Sequence, residues 1–189
     1  MTKEELLAEI SKTLNKVKAV NLAEIAVSTD FSLLQLLDFC YHREKTIAFR
    51  AAWILEFVEH RYPERFLPIF SDFISRLSEQ QYDSCQRHFT KILIGFTQPK
   101  AKEMRKYAFN DLTVMRQEKV VETVFEWLIA PRTPIAVRVN CMEILSYMIP
   151  FFPWIKEELL AQIHFYMKDG TAAMQSRGKR LLREISNRR

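Results

Sequence analysis

Cysteine and histidine stand close together twice in this chain, as Cys85 with His88 and as Cys40 with His42. The i, i+3 spacing of the first pair puts both side chains on one side of a helix, and two such helices could assemble a thiolate and imidazole set for zinc. No CxxC or HExxH accompanies them, so each pair reads as a packed thiol beside a hydrogen-bonded imidazole. Nucleophilic chemistry has less to work with. No serine occupies a Gly-x-Ser-x-Gly elbow, and His60 and His164 lack the context of a triad. Glu56, Glu143 and Glu157 have the right type for acid–base work, but carboxylates at helical spacing are ordinarily solvated. The three glycines, Gly95, Gly170 and Gly178, are too scattered for a phosphate-cradling loop. The expectation is therefore no catalytic set, no metal site and no cofactor.

Charge says more. Near the C-terminus Arg177, Lys179, Arg180, Arg183, Arg188 and Arg189 face Glu184 alone, and this surplus equals the net charge of +5 of the whole chain. Lys100, Lys102, Arg105 and Lys106, with Tyr107 and Phe109, form a second basic cluster. Such clusters suit phosphate contacts, and they equally suit a solvated helix end. The candidate binding surface comprises Lys91, Lys102, Arg105, Lys106, Tyr107, Glu143, Tyr147, Arg180 and Arg183.

The elements that must position these groups are helical. The chain has 189 residues, 48% hydrophobic and 27% charged, enough to bury a core without disulfides. Cys40, Cys85 and Cys141 are odd in number and far apart, so they are expected to be reduced and buried. The start mixes acids with bases, and the longest uncharged stretch, Ile144 to Ile155, is broken by Pro150 and Pro153. No membrane span and a cytoplasmic location are expected. Leu6, Leu7, Ile10, Leu14 and Val17 recur at helical spacing, as do Phe66, Ile69, Phe70, Phe73, Ile74 and Leu77. This periodicity predicts helices near 3 to 17, 31 to 42, 46 to 61, 64 to 79, 82 to 97, 116 to 130, 134 to 149, 153 to 169 and 171 to 187. Shorter ones are expected near 20 to 28 and 100 to 112.

Punctuation agrees. Pro63, Pro99, Pro134 and Pro153 stand where helices should begin, with Thr133-Pro134 as a cap pair. Gly170-Thr171 reads as a left-handed helix stop followed by an N-cap. Pro68 should bend the helix that contains it. Expected core residues are Trp53, Ile54, Phe57, Phe70, Phe73, Leu93, Val124, Leu128, Cys141 and Leu145.

A repeat emerges when the helices are taken in pairs. Each second helix carries an early arginine, Arg50, Arg87, Arg138 or Arg177, followed by an aliphatic pair at Ile54-Leu55, Ile92-Leu93, Ile144-Leu145 or Leu181-Leu182. The spacing suits two-helix units of about 40 residues, the longest step holding an insertion over 98 to 115. An arginine opposes the helix dipole there, so its expected role is to clamp an acid or a helix-end carbonyl of its own or the adjoining repeat.

Ile135-Ala-Val-Arg138-Val-Asn-Cys141-Met-Glu-Ile-Leu145, with the Leu67-Pro68 of a first helix, resembles the HEAT repeat, an armadillo-like α-solenoid unit. The chain is similar to short bacterial HEAT-like proteins. It lacks the Gly-Ser-Ser-rich loop of the adenylosuccinate lyase superfamily and is too short for that fold. The resemblance implies an all-α, right-handed α-α superhelix of about four to five helix pairs in one domain over 1 to 189. Residues 1 to 30 would cap its N-terminal end and the basic 171 to 189 its C-terminal end. It implies a non-enzymatic module that binds a protein partner through a curved surface. The alternative is nucleic-acid binding, including a HEAT-like DNA-repair glycosylase, which a basic face with an exposed tryptophan and a carboxylate would favour.

Overall fold

The structure, a computed structural model, describes residues 1–187 and is all helical there, with no strand among the described residues. Arg188 and Arg189 of the basic C-terminal stretch lie outside the described residues.

The N-terminal helix expected over 3 to 17 is two helices. α1 (Lys3–Ser11) opens on a capping box, in which Thr2 Oγ1 accepts from Glu5 N–H and the Glu5 carboxylate accepts from Thr2 N–H. It stops because Asn15 starts a new helix, its side chain accepting from Lys18 N–H at 2.8 Å at the head of α2 (Lys16–Ser28). Val17 thus leaves the first helix and its apolar face, and stands in solvent.

α3 (Leu33–Phe39) and α4 (Lys45–Arg61) follow the periodicity. The next first helix breaks at Pro68, as its missing N–H and ring require. α5 (Pro63–Phe66) gives way to a 3-10 turn over Leu67–Ile69, and α6 (Phe70–Ser75) resumes. Beyond it come α7 (Asp83–Thr97), α8 (Glu103–Asn110), α9 (Val114–Ile129), α10 (Ile135–Met148), α11 (Ile155–Met167) and α12 (Ala172–Asn187). The short helix expected near 100 to 112 in the basic insertion is α8, and it packs onto the core, with Phe109 and Arg105 both buried.

Of the four prolines placed at helix starts, Pro63 takes the first helical position. Pro134 is instead the residue just before α10, without a side-chain cap from Thr133; Pro99 and Pro153 stand further upstream. Gly170 does not adopt a left-handed backbone. It is needed because an added Cβ would come 2.4 Å from the Tyr166 carbonyl oxygen, where α11 turns into α12. Thr171 does cap, its hydroxyl accepting from Met174 N–H at 3.4 Å.

The second helices α2, α4, α7, α10 and α12 pack side by side in chain order, and α3, α9 and α11 lie against α4, α10 and α10 with α12. Each unit touches its neighbours and little else, which is a solenoid of five helix pairs with α8 inserted between the third and fourth. α4, α7 and α10 are enclosed most, so their apolar residues form the centre of the core. An aromatic cluster packs around the Pro68 break. Phe70 stacks on Phe96 with ring centres 4.1 Å apart, and Phe73 meets Phe89 edge-on at 4.8 Å. Ile54, Phe70, Phe73, Leu93, Val124, Leu128, Cys141 and Leu145 are buried. Trp53 and Phe57 are half-buried instead, because they pack against the edge of the core on a stripe of α4 that its neighbours cover only in part.

Candidate functional site

The free face of the second-helix row holds most of the polar side chains with chemical potential. On α4, Phe49, Trp53 and Phe57 recur at i, i+4, i+8 as a half-exposed ledge, with Phe49 and Trp53 stacked at 5.9 Å. His88 reaches over from α7 and lies against Phe49 and Trp53 at 5.3 and 6.3 Å. Its Nδ1 bonds Glu56, and Lys91 Nζ sits 2.9 Å from the other oxygen of the same carboxylate. Burial works against ionisation of Glu56, but the hydrogen bonds from His88 and Lys91 outweigh it and hold the carboxyl below its ordinary range.

The Cys–His pairs do not converge. His88 is committed to Glu56, and His42 Nδ1 accepts from Glu44 N–H at 3.0 Å. Among the described residues no three His, Cys, Asp or Glu side chains come together as a metal site. Cys40, Cys85 and Cys141 are free and buried, and burial pushes all three thiols up, Cys85 to about 12. They are poor nucleophiles and poor metal ligands in that state.

A second polar cluster centres on Glu143 of α10. Arg177 Nη1 bonds one carboxylate oxygen, while Arg180 Nη2 at 3.1 Å and the Tyr147 hydroxyl at 2.7 Å engage the other. Burial and then the hydrogen bond to Glu143 raise the Tyr147 phenol to about 12. Arg180 also holds Glu184 at 2.9 Å. Asn140, one turn before Glu143, donates to Thr90 Oγ1 of α7 at 3.0 Å and ties the two clusters together.

The remaining sequence candidates fall into three environments. Lys102, Tyr107 and Arg183 are exposed, Tyr107 at 70%. Lys106 is half-exposed, 2.9 Å from Glu103, and borders a hollow shared with Tyr147 between α8 and the end of α10. Tyr147 in turn neighbours Arg180, so the fold brings the two basic clusters to the same end of α10, with Glu143 between them. Arg105 turns inward. Its Nε is 2.5 Å from Glu59 Oε1 and its Nη2 donates to the Glu59 carbonyl at 2.9 Å.

The Glu59–Arg105 pair was not legible in sequence, although two signals mark it. Glu59 extends the apolar stripe Ala52, Leu55 of α4, and Gly95 sits inside α7 where an added Cβ would lie 3.3 Å from the Glu59 carboxylate. Burial pushes the Glu59 carboxyl up to about 7 against the pull of Arg105.

The repeat arginines differ from one another. Arg50 donates to the Ile10 and Ser11 carbonyls at the end of α1, at 2.8 and 3.0 Å. Arg138 donates to the Ala130 and Pro131 carbonyls at the end of α9, at 2.8 and 2.9 Å, with its guanidinium 4.7 Å from the Tyr166 ring centre. Both supply donors to helix-end carbonyls, although the Ala130 oxygen also accepts from Thr133 N–H at 3.2 Å. Arg177 grips Glu143, whereas Arg87 is exposed and has no ion pair among the described residues. Arg138→Ala should lower stability by about 1 to 3 kcal/mol in urea melts. An unchanged melt with a lost binding partner would instead assign Arg138 to binding.

No helix among the described residues is long and apolar enough to cross a membrane. No curated protein and no solved structure matches the chain. A row of α-helical pairs, with Arg50 and Arg138 reaching from second helices to the ends of first helices, is the architecture of an α-solenoid. The family model of the HEAT repeat domain matches residues 2–185, and the chain belongs to that family.

Proposed function

We propose that the protein is a non-enzymatic interaction scaffold that holds a protein partner on the free face of its second-helix row. The observation that supports this most is the mixed character of that face. Aromatic side chains at Phe49, Trp53 and Phe57 lie beside carboxylates and cations that neutralise one another, Glu56 with Lys91 and Glu143 with Arg177 and Arg180. Half-exposed aromatics framed by paired charges are what a protein surface meets in an anchor-and-rim interface.

A nucleic-acid reading draws on Trp53 with a carboxylate one turn away at Glu56, the arrangement a HEAT-like glycosylase would need. Two features weigh against it. Glu56 is tied by His88 and Lys91 rather than presented, and Glu143 interrupts the basic groups that would follow a phosphate backbone.

The test has two arms. Capture of partners from native cytosol should survive nuclease treatment. Titration with mixed-sequence duplex DNA at physiological salt should give a dissociation constant no tighter than about 10⁻⁴ to 10⁻⁶ M. Nuclease-sensitive capture, or a constant below about 10 nM, would move the protein to the nucleic-acid class. If Lys102, Lys106 and Arg183 did contact phosphates, removing each would lower the slope of log K against log salt by about one.

A further inference from the structure

The other side of the molecule carries a surface that the second-helix face does not explain. α9 presents Glu122, Phe125, Glu126 and Ile129 at i, i+3, i+4 and i+7, a single stripe along the helix. α11 and the turn before it present Trp154, Glu158 and Gln162 at i, i+4 and i+8. The two stripes face each other across an open cleft of about 530 Å³, and these seven residues line it. Phe125 and Trp154 stack across it at 5.7 Å, while Ile129 and Trp154 remain 52% and 51% exposed. Large apolar groups left in water side by side mark a contact surface, whereas scattered ones do not.

The charged lining is all of one sign. Three of the seven residues are glutamates, none is basic, and the chain that carries them has a net charge of +5. Glu122 shares a surface contact with Lys119 at 3.3 Å; among the described residues Glu126 and Glu158 hold no ion pair. Ile129 also borders a second hollow, where Ile135 and Phe165 add apolar surface and Arg138, Lys168 and Asp169 supply charges of both signs, so the one-signed acidic lining is confined to the cleft itself.

We infer that this cleft docks a basic amphipathic helix of a partner protein. The apolar stripe of that helix would lie on Phe125, Ile129 and Trp154, and its Lys or Arg side chains would meet Glu122, Glu126 and Glu158. An arginine of the partner can satisfy both halves of the cleft at once, its guanidinium plane on the exposed Trp154 indole and its N–H groups on Glu158. Helix-in-groove recognition needs such a strip at i, i+3 and i+4 spacing, and the one-signed rim selects the charge of the occupant and excludes a polyanion. The assignment rests on the interaction-scaffold reading and adds the partner's chemistry and a second docking face.

The test uses the full chain, labelled with ¹⁵N, and two synthetic helix-forming peptides of about five turns, roughly 18 residues. Both carry the same leucine stripe. One has Lys and Arg on its polar face and the other has Glu. The basic peptide should bind about tenfold or more tightly than the acidic one, a difference of the size expected from several rim charges, and should shift the amides of 122–129 and 154–162. Glu126→Lys with Glu158→Lys should reverse the preference. Trp154→Ala, at an exposed site that leaves the core intact, should weaken the basic peptide and keep the charge preference.

Equal affinity for the two peptides, or a preference that survives the double charge reversal, would overturn the inference. Shifts confined to the second-helix face around Phe49, Trp53 and Lys91 would overturn the cleft and leave the scaffold reading standing. Shifts at 122–129 that grow with protein concentration alone would replace the partner by a second copy of this chain and likewise overturn the assignment.

Discussion

Phe73→Ala should destabilise the protein by about 3 to 5 kcal/mol. Phe73 has no exposed surface and contributes to an aromatic cluster, with Phe89 at 4.8 Å and Phe66 at 5.6 Å. The Pro68 break sits one turn upstream, and the backbone there is braced against α7 by the Phe70–Phe96 stack. It cannot collapse cheaply onto the missing ring, and the cavity term adds to the lost transfer energy. Leu145→Ala on α10 should cost on the order of 2 to 5 kcal/mol for the same reason, since Leu145 is fully buried in a helix packed by α7, α9, α11 and α12. Urea melts measure both. A loss below about 1 kcal/mol at Phe73 would contradict the packing described above, because typical buried truncations far exceed that.

Arg105→Leu should be comparably damaging, with a pH dependence that identifies the cause. At pH 8 the expected loss is about 3 to 5 kcal/mol, the cost of leaving one partner of a buried pair uncompensated. Glu59 has its folded value raised to about 7 from the ordinary 4.5, because burial outweighs the attraction of Arg105. For a carboxyl shifted upward the unfolded chain gives up its proton first. Stability is therefore fully present below about pH 4.5 and declines as pH rises toward 7. Removing Arg105 removes the main influence that lowers the value, so Glu59 stays protonated to still higher pH and the deficit of the variant against wild type widens with pH. At pH 5 the variant buries a neutral acid and loses less. Glu59→Leu with Arg105→Leu should recover most of the loss and abolish its pH dependence, since an apolar pair avoids the desolvation penalty. A deficit that is the same at pH 5 and pH 8 would show that lost packing of the arginine stem is responsible instead.

The helical repeat was legible in the sequence because its cause is local. Apolar residues at i, i+3, i+4 and i+7, the Thr171 cap and the ring of Pro68 act within one or two turns, and they placed most helices without reference to the rest of the chain. The arginine-headed second helices and the paired order were likewise sufficient for the solenoid. The misreadings arose where a local signal has two physical meanings. Val17 continues an apolar period that the Asn15 cap interrupts, and Gly170 answers a steric approach to Tyr166 rather than a left-handed turn.

What the tertiary structure alone decided is which apolar and charged residues meet. Trp53 and Phe57 carry the composition of a core, and only the arrangement of neighbours leaves their stripe of α4 partly open. Arg105 reads as a surface cation until α8 packs over α7 and turns it onto Glu59, 46 positions away in sequence. Lys106, Tyr147 and Arg180 gather at one end of α10, and the glutamates of α9 and α11 gather around Trp154, for the same reason. Secondary structure follows from interactions within a few residues, whereas a site on a solenoid is assembled across neighbouring repeats. Its composition depends on the register between helices, which a one-dimensional period does not encode.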